Sequence, residues 1–181
     1  MRWITFFALL YIAAALQSAH LLQLNAEGYF HIEYIPILAI FYSLYAERES
    51  AMLAALLCGL IYDLTCTSLL GLEMVILGLI AIGITKIRAQ IFRNNFISQM
   101  VIVFISITLF LFARMTISNL LLWTAGKHAL IPTTVPFGFI ALSSALYSAI
   151  VAPFLFRGLF FLGSLLGFES HPGRSSRLSR K

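Results

Sequence analysis

The sequence predicts an all-α membrane protein built as a six-helix transmembrane bundle. The 181 residues are 61% hydrophobic and only 10% charged, and the mean hydropathy of +0.96 lies far above that of soluble domains. The apolar residues form several long stretches instead of one. The ten-residue alternation that is typical of a membrane β-barrel is absent from the sequence.

The apolar stretches divide the chain into six predicted spans and a polar tail. About 20 apolar residues cross the hydrocarbon core, so this length suits six spans with short loops and leaves no room for a soluble domain. Residues 1–168 are predicted to form a single integral membrane domain, and residues 169–181 a disordered, basic cytoplasmic tail. The predicted spans are residues 3–22, 34–46, 50–64, 69–85, 96–123 and 137–156.

The second and third predicted spans are shorter than a membrane crossing requires. A polar break, residues 65–68, separates the third span from the fourth. Irregular backbone at membrane depth is tolerated only where protein or water supplies hydrogen bonds. The central part of the chain is therefore predicted to be packed inside the bundle.

The basic residues predict that both termini are cytoplasmic. With the N-terminus inside, only Lys127 falls in an outer loop and Arg114 lies within span five. Such a bias follows the positive-inside rule, and it agrees with an even number of spans. The basic residues that then face the cytoplasm are Arg2, Arg48, Lys86, Arg88, Arg93, Arg157, Arg174, Arg177, Arg180 and Lys181.

An acid, Asp63, stands near the end of the apolar run Gly59-Leu60-Ile61-Tyr62-Asp63-Leu64, and Leu70-Gly71 follow after a short gap. An Asp at the centre of a membrane helix costs roughly 2.5–3.5 kcal/mol on insertion scales. The predicted topology places Asp63 and Arg114 at a similar depth near the outer side. One hypothesis is that they pair, or share a polar pocket with Glu73, Thr116 and Asn119.

The alternative is that Asp63 caps the end of a half-helix while Arg114 extends to the outer headgroups. Glu73 lies in the first turn of span four, where the helix dipole favours an acid. Small residues bring membrane helices close together, so Gly59, Gly78 and Gly83 are predicted to let spans three and four approach each other. The candidate structural or interaction residues are Gly59, Asp63, Gly71, Glu73 and Arg114.

The residues predict neither an enzyme nor a cofactor site. The sequence has no phosphate-binding loop, nucleophile elbow or HExxH motif. Cys58 and Cys66 are interpreted as small packing residues and not as metal ligands, because the four histidines are scattered. The positive charge follows the topology, so nucleic-acid binding is not predicted.

The run from Gly59 to Leu64 with the following Leu70-Gly71 resembles the central motif of the MreD family of rod shape-determining membrane proteins. The order of segments across residues 34–123 also resembles that family. Its members often have an acid directly after the proline of span two, whereas here Ile37 follows Pro36 and the nearest acid is Glu33.

The resemblance implies a non-enzymatic scaffold of the cell-elongation machinery (the elongasome) in the bacterial inner membrane. It implies binding to MreC and, through it, a link to MreB, RodA and a class B penicillin-binding transpeptidase of peptidoglycan synthesis, with membrane lipids around the bundle. The family is similar in fold to the substrate-binding subunits of energy-coupling-factor transporters. The alternative function is therefore a small-molecule-binding subunit of a vitamin transporter.

Overall fold

The computed structural model describes residues 3–19, 32–65, 71–88, 96–124 and 137–165. These residues form six α-helices and no strand, which confirms the all-α class. The last helix continues nine residues beyond the predicted end of span six, to Leu165, and the predicted tail lies outside the described residues. The helices are α1 (Trp3–Ser18), α2 (Tyr34–Tyr45), α3 (Arg48–Thr65), α4 (Leu72–Ile87), α5 (Phe96–Thr124) and α6 (Phe137–Leu165).

The short helix α2 lies at the centre of the bundle. It packs against each of the other five helices, and every residue from Tyr34 to Leu44 is buried. At 1.5 Å per residue its 12 residues span only about 18 Å. The surrounding helices cover α2, so it does not need the length of a span that faces lipid. This agrees with the prediction that the central part of the chain is packed inside the bundle.

One end of the bundle carries the basic side chains. The Arg88 side chain, just after α4, donates a hydrogen bond to the carbonyl of Ala46, just after α2. Gln99 near the start of α5 donates to the Tyr45 hydroxyl over 2.9 Å. The end of α2 therefore lies beside the end of α4 and the start of α5. We call this the basic end, after Arg48, Lys86, Arg88 and Arg157.

Helices α3 and α4 pack most closely at Gly59. A Cβ atom at this position would lie 2.3 Å from the Cα of Met74, so only glycine fits. At Gly78 a Cβ would meet a side-chain atom of Leu56 at 3.0 Å, whereas at Gly83 it would meet nothing within 4 Å. The predicted close approach is therefore found at Gly59, and the prediction for Gly83 is wrong.

Helices α5 and α6 are long and pack against each other. The buried face of α6 carries small residues at four-residue intervals, Ala141, Ala145 and Ala149, which allow close helix contact. Within the described residues, two segments are long and apolar enough to cross a membrane, Phe96–Leu120 and Ala141–Phe161. Two other apolar helices, α1 and α2, are shorter.

Candidate functional site

A cluster of polar side chains lies at the end of the bundle opposite the basic end. At 1.5 Å per residue, the helical rise from Lys86 to Glu73 along α4 is about 20 Å. All six helices, or the residues next to them, contribute to this group. We call it the polar cluster: Gln17, Glu33, Tyr62, Asp63, Glu73, Arg114 and Ser148.

The first part of the polar cluster caps the start of α2. The first backbone N–H groups of a helix have no partner within it, and inside a bundle they need other acceptors. The Tyr34 N–H donates to the Gln17 side-chain oxygen over 2.9 Å. The Glu33 N–H donates to the Ser148 hydroxyl over 3.2 Å. Side chains from α1 and α6 thus bind the amides at the buried start of the central helix.

The Glu33 carboxylate is completely buried and accepts hydrogen bonds from two helices. Its Oε2 accepts from Gln17 Nε2 over 2.9 Å and from the Tyr62 hydroxyl over 2.9 Å. A buried carboxylate is costly unless hydrogen bonds or an opposite charge replace its hydration. These two donors stabilise Glu33 and tie the start of α2 to α1 and α3.

The Asp63 carboxylate, near the end of α3, caps the start of α4. Its Oδ2 accepts from the N–H groups of Gly71 over 3.0 Å and Met74 over 3.2 Å, and its Oδ1 accepts from the Glu73 N–H over 3.1 Å. An acid at this position also interacts favourably with the positive end of the helix dipole. Asp63 therefore satisfies three backbone donors at one helix start.

The residues of the predicted motif act together at this junction. Gly71 has a φ of +94°, a left-handed conformation that glycine adopts without a steric penalty. Gly59 allows the α4 backbone to come close to α3. The chain can consequently turn and place its first α4 amides against Asp63. The spacing of the two glycines and the acid thus builds the α3–α4 junction.

Arg114 joins α5 to the cluster. Its Nε lies 2.8 Å from Oε1 of Glu73, and its guanidinium also donates to the Tyr62 hydroxyl over 3.0 Å. The guanidinium carbon lies 5.4 Å from the centre of the Tyr62 ring, within range of a cation–π interaction. The Tyr62 hydroxyl accepts from Arg114 and donates to Glu33, so it links the arginine to the second glutamate.

The ion pair between Glu73 and Arg114 is held by charge attraction and not by a well-aligned hydrogen bond. The Glu73 side chain is completely buried, and neither of its oxygens accepts a hydrogen bond of good geometry from the described residues. The nearby guanidinium is therefore what compensates its charge. A buried carboxylate of this kind depends strongly on its one charged partner.

The geometry corrects the predicted arrangement of these residues. The prediction that Asp63 pairs with Arg114 is wrong, because Asp63 binds backbone amides and Arg114 binds Glu73 and Tyr62. Thr116 and Asn119 are exposed, and the Thr116 hydroxyl donates to the Phe112 carbonyl. They are not brought into the cluster. Glu73 and Arg114 were correctly expected to lie close together.

Sequence reasoning missed four members of the cluster: Gln17, Glu33, Tyr62 and Ser148. The sequence marks Glu33 only as the last residue of a polar stretch before α2. The available signal was the short length of α2, because a helix that starts inside a bundle needs acceptors for its first amides.

Cys58 is a buried free cysteine in the core. No group of metal-ligating side chains occurs among the described residues.

Comparison with known proteins identifies the family. A family model described as rod shape-determining protein MreD matches residues 1–162. No curated protein and no solved structure matches the chain. The family match includes every helix up to the last turn of α6 and the whole polar cluster. The resemblance seen in the central motif is thereby confirmed, and the chain belongs to the MreD family of rod shape-determining proteins.

Proposed function

We propose that this protein is a non-enzymatic scaffold of the bacterial cell-elongation machinery that binds MreC in the membrane. Membership of the MreD family gives it a role in rod shape determination. The observation that carries the scaffold proposal is the way the polar cluster is used. Its polar and charged groups bind each other and the starts of α2 and α4, which supports a role of the cluster in stabilising the bundle.

The outer surface of the bundle suits contact with other membrane helices. Large apolar side chains are exposed along α4 and α5, such as Leu79 and Leu109. Helices associate in membranes through close packing and hydrogen bonds and not through a hydrophobic force. A partner with a single transmembrane helix can therefore pack on such a face without the bundle having to open.

We further propose six spans with both termini in the cytoplasm. The basic end gathers Arg48, Lys86, Arg88 and Arg157, while the acids Glu33, Asp63 and Glu73 lie at the opposite end. Under the positive-inside rule the basic end faces the cytoplasm. In this orientation the polar cluster lies toward the periplasm, where partners with periplasmic domains would be, and the basic end lies toward the cytoplasm, where a cytoskeletal filament would be.

Site-specific photo-crosslinking in cells tests the scaffold proposal. A photoreactive residue at an exposed position should give one partner band that contains MreC, whereas a buried position on the same helix should not. Leu109 (57% exposed) and Ile107 (0%) on α5 form one matched pair, and Leu79 (64%) and Leu77 (1%) on α4 form another. Absence of a partner band from every exposed position on the six helices would contradict the proposal.

The vitamin-transporter alternative makes a different prediction. It requires several polar groups to converge on a small molecule, and the candidates were Asp63, Glu73, Arg114 and Asn119, with Trp123 and His128. Asp63, Glu73 and Arg114 each already bind another group of the protein. Asn119 is exposed, and the Trp123 side chain and His128 lie outside what the structure describes. A panel of water-soluble vitamins should therefore leave the thermal unfolding temperature of the purified protein unchanged. A clear stabilisation by one vitamin would favour transport instead.

A further inference from the structure

An arginine lies between two exposed aromatic rings on the outer face of α6. Phe154, Arg157, Gly158 and Phe161 are spaced so that they share one face of the helix. Phe154 is 67% exposed and Phe161 is 69% exposed, and Arg157 is exposed as well. We call these four residues the α6 outer face.

The neighbouring face of α6 fixes the depth of this arginine. Phe156 packs on Phe41 with ring centres 5.3 Å apart, and Phe160 packs on Tyr45 at 4.6 Å. Phe154 contacts Phe96, the first residue of α5, at 6.0 Å. The α6 outer face therefore lies where α2 ends and α5 begins, which is the basic end of the bundle.

The chemistry of the α6 outer face fits a lipid whose headgroup carries a phosphate. Exposed Phe side chains can insert at the boundary between acyl chains and headgroups. A guanidinium binds a phosphate through two parallel hydrogen bonds and has no such partner in hydrocarbon. At Gly158 an added Cβ would meet nothing within 4 Å, so no described residue fills the space beside Arg157.

Charge complementarity selects an anionic lipid. The basic end also carries Arg48 and Lys86, both exposed, and the sequence beyond α6 contains Arg174, Arg177, Arg180 and Lys181. Basic residues near an anionic leaflet each contribute about 1 kcal/mol of attraction. We propose that the α6 outer face binds an anionic phospholipid of the inner leaflet, with its phosphate on Arg157, its acyl chains along Phe154 and its headgroup on the side of Phe161.

This inference rests on the proposed membrane orientation and does not depend on MreC. The test is native mass spectrometry of the full chain in detergent, titrated with phosphatidylglycerol or with phosphatidylcholine of the same acyl chains. The unmodified protein should retain phosphatidylglycerol preferentially. R157Q should weaken this retention more than about fivefold, because it removes the phosphate contact as well as the attraction of about 1 kcal/mol that any one basic residue contributes.

R48Q is the matched control, because Arg48 is also an exposed arginine at the basic end but starts α3. R48Q should weaken phosphatidylglycerol retention less than R157Q does, because Arg48 adds only general attraction to an anionic lipid whereas Arg157 also binds the phosphate, and R157K should fall between R157Q and the unmodified protein. Equal retention of the two lipids by the unmodified protein would overturn the proposal. Equal losses in R157Q and R48Q would also overturn it, since they would indicate a general charge effect. Co-purification of MreC, measured on the same variants, reports separately on the scaffold function.

Discussion

Arg114 of α5 and Glu73 of α4 form an ion pair at the polar end of the bundle, with 2.8 Å between Nε and Oε1. The Glu73 side chain is completely buried, whereas the Arg114 side chain keeps 29% of its surface exposed. The arginine thus covers the glutamate from the outside. Because a buried carboxylate without a charged partner is costly, the stability of the bundle should depend on this arginine.

Replacing Arg114 by leucine should destabilise the protein strongly. Removal of one partner of a buried pair costs about 3–5 kcal/mol, because the other charge stays buried without compensation. In E73Q/R114L the remaining side chain is neutral, so the double variant should be less destabilised than R114L alone. Reversible unfolding of the four proteins in mixed detergent micelles would give the coupling free energy.

Asp63 supplies the control for this double-mutant cycle. D63N and R114L should couple less strongly than E73Q and R114L do, since Asp63 binds the Glu73 backbone whereas Arg114 binds the Glu73 carboxylate directly. A large coupling between Asp63 and Arg114, with none between Glu73 and Arg114, would contradict the arrangement described above.

Loss of the Asp63 carboxylate should loosen the start of α4. Truncation of a capping side chain typically costs about 0.5–2 kcal/mol, and three amide donors depend on this one. D63A should therefore speed hydrogen exchange at the amides of Gly71, Glu73 and Met74. D63N keeps one acceptor oxygen and should have a smaller effect.

T65V is the matched control for the capping prediction. The Thr65 hydroxyl, at the same end of α3, donates to the Tyr62 carbonyl over 2.9 Å and not to α4. The exchange rates of the α4 amides should stay unchanged in T65V. Equal acceleration in T65V and D63A would show that the whole end of α3 frays, and that Asp63 does not act as a specific cap.

Substitution of Gly59 by alanine should push α3 and α4 apart. The new Cβ would lie 2.3 Å from the Cα and 2.8 Å from the backbone nitrogen of Met74, and backbone atoms cannot move aside as a flexible side chain can. Overpacking of this kind typically costs about 1–3 kcal/mol. G83A should be neutral or slightly stabilising, because its Cβ meets open space and alanine favours helix. Thermal unfolding of both variants checks the difference, and equal stabilities would contradict the close contact.

Composition and apolar segmentation were enough to predict the class and the approximate helices. Six apolar stretches in the sequence correspond to the six helices of the described residues. The short α2 even indicated which segment would be enclosed. Helix ends were less well predicted. The sixth span was predicted to end at residue 156, but α6 continues to Leu165. Residues 157–165 are largely apolar, so the sequence contains no signal that would end the helix at 156.

The partners within the polar cluster could not be predicted in the same way. Depth along a helix follows from residue counting, so Asp63, Glu73 and Arg114 were correctly placed at one level. The direction in which each side chain points around its helix depends on which helices are neighbours. Asp63 faces the start of α4, and Arg114 faces the Glu73 side chain. That information lies in the packing of α3, α4 and α5.

The Tyr62 hydroxyl offers a test of the link between Arg114 and Glu33. Y62F keeps the ring contact with Phe110, whose ring centre is 5.5 Å away, but it removes a donor to Glu33 and an acceptor for Arg114. A buried polar group that loses its partner costs about 1–3 kcal/mol, and more when it is charged. Y62F should therefore lower the free energy of unfolding by about 1–3 kcal/mol or more.

Y42F distinguishes the loss of the network from the loss of any tyrosine hydroxyl. Tyr42 is another buried tyrosine of the core, with its ring 5.0 Å from that of Phe6, but its hydroxyl has no hydrogen-bond partner among the described residues. Removal of an unsatisfied buried hydroxyl should be neutral or stabilising. If Y62F and Y42F change the free energy of unfolding equally, the Tyr62 hydroxyl does not couple Arg114 to Glu33. If only Y62F is destabilised, this coupling is what holds the start of the central helix to α5.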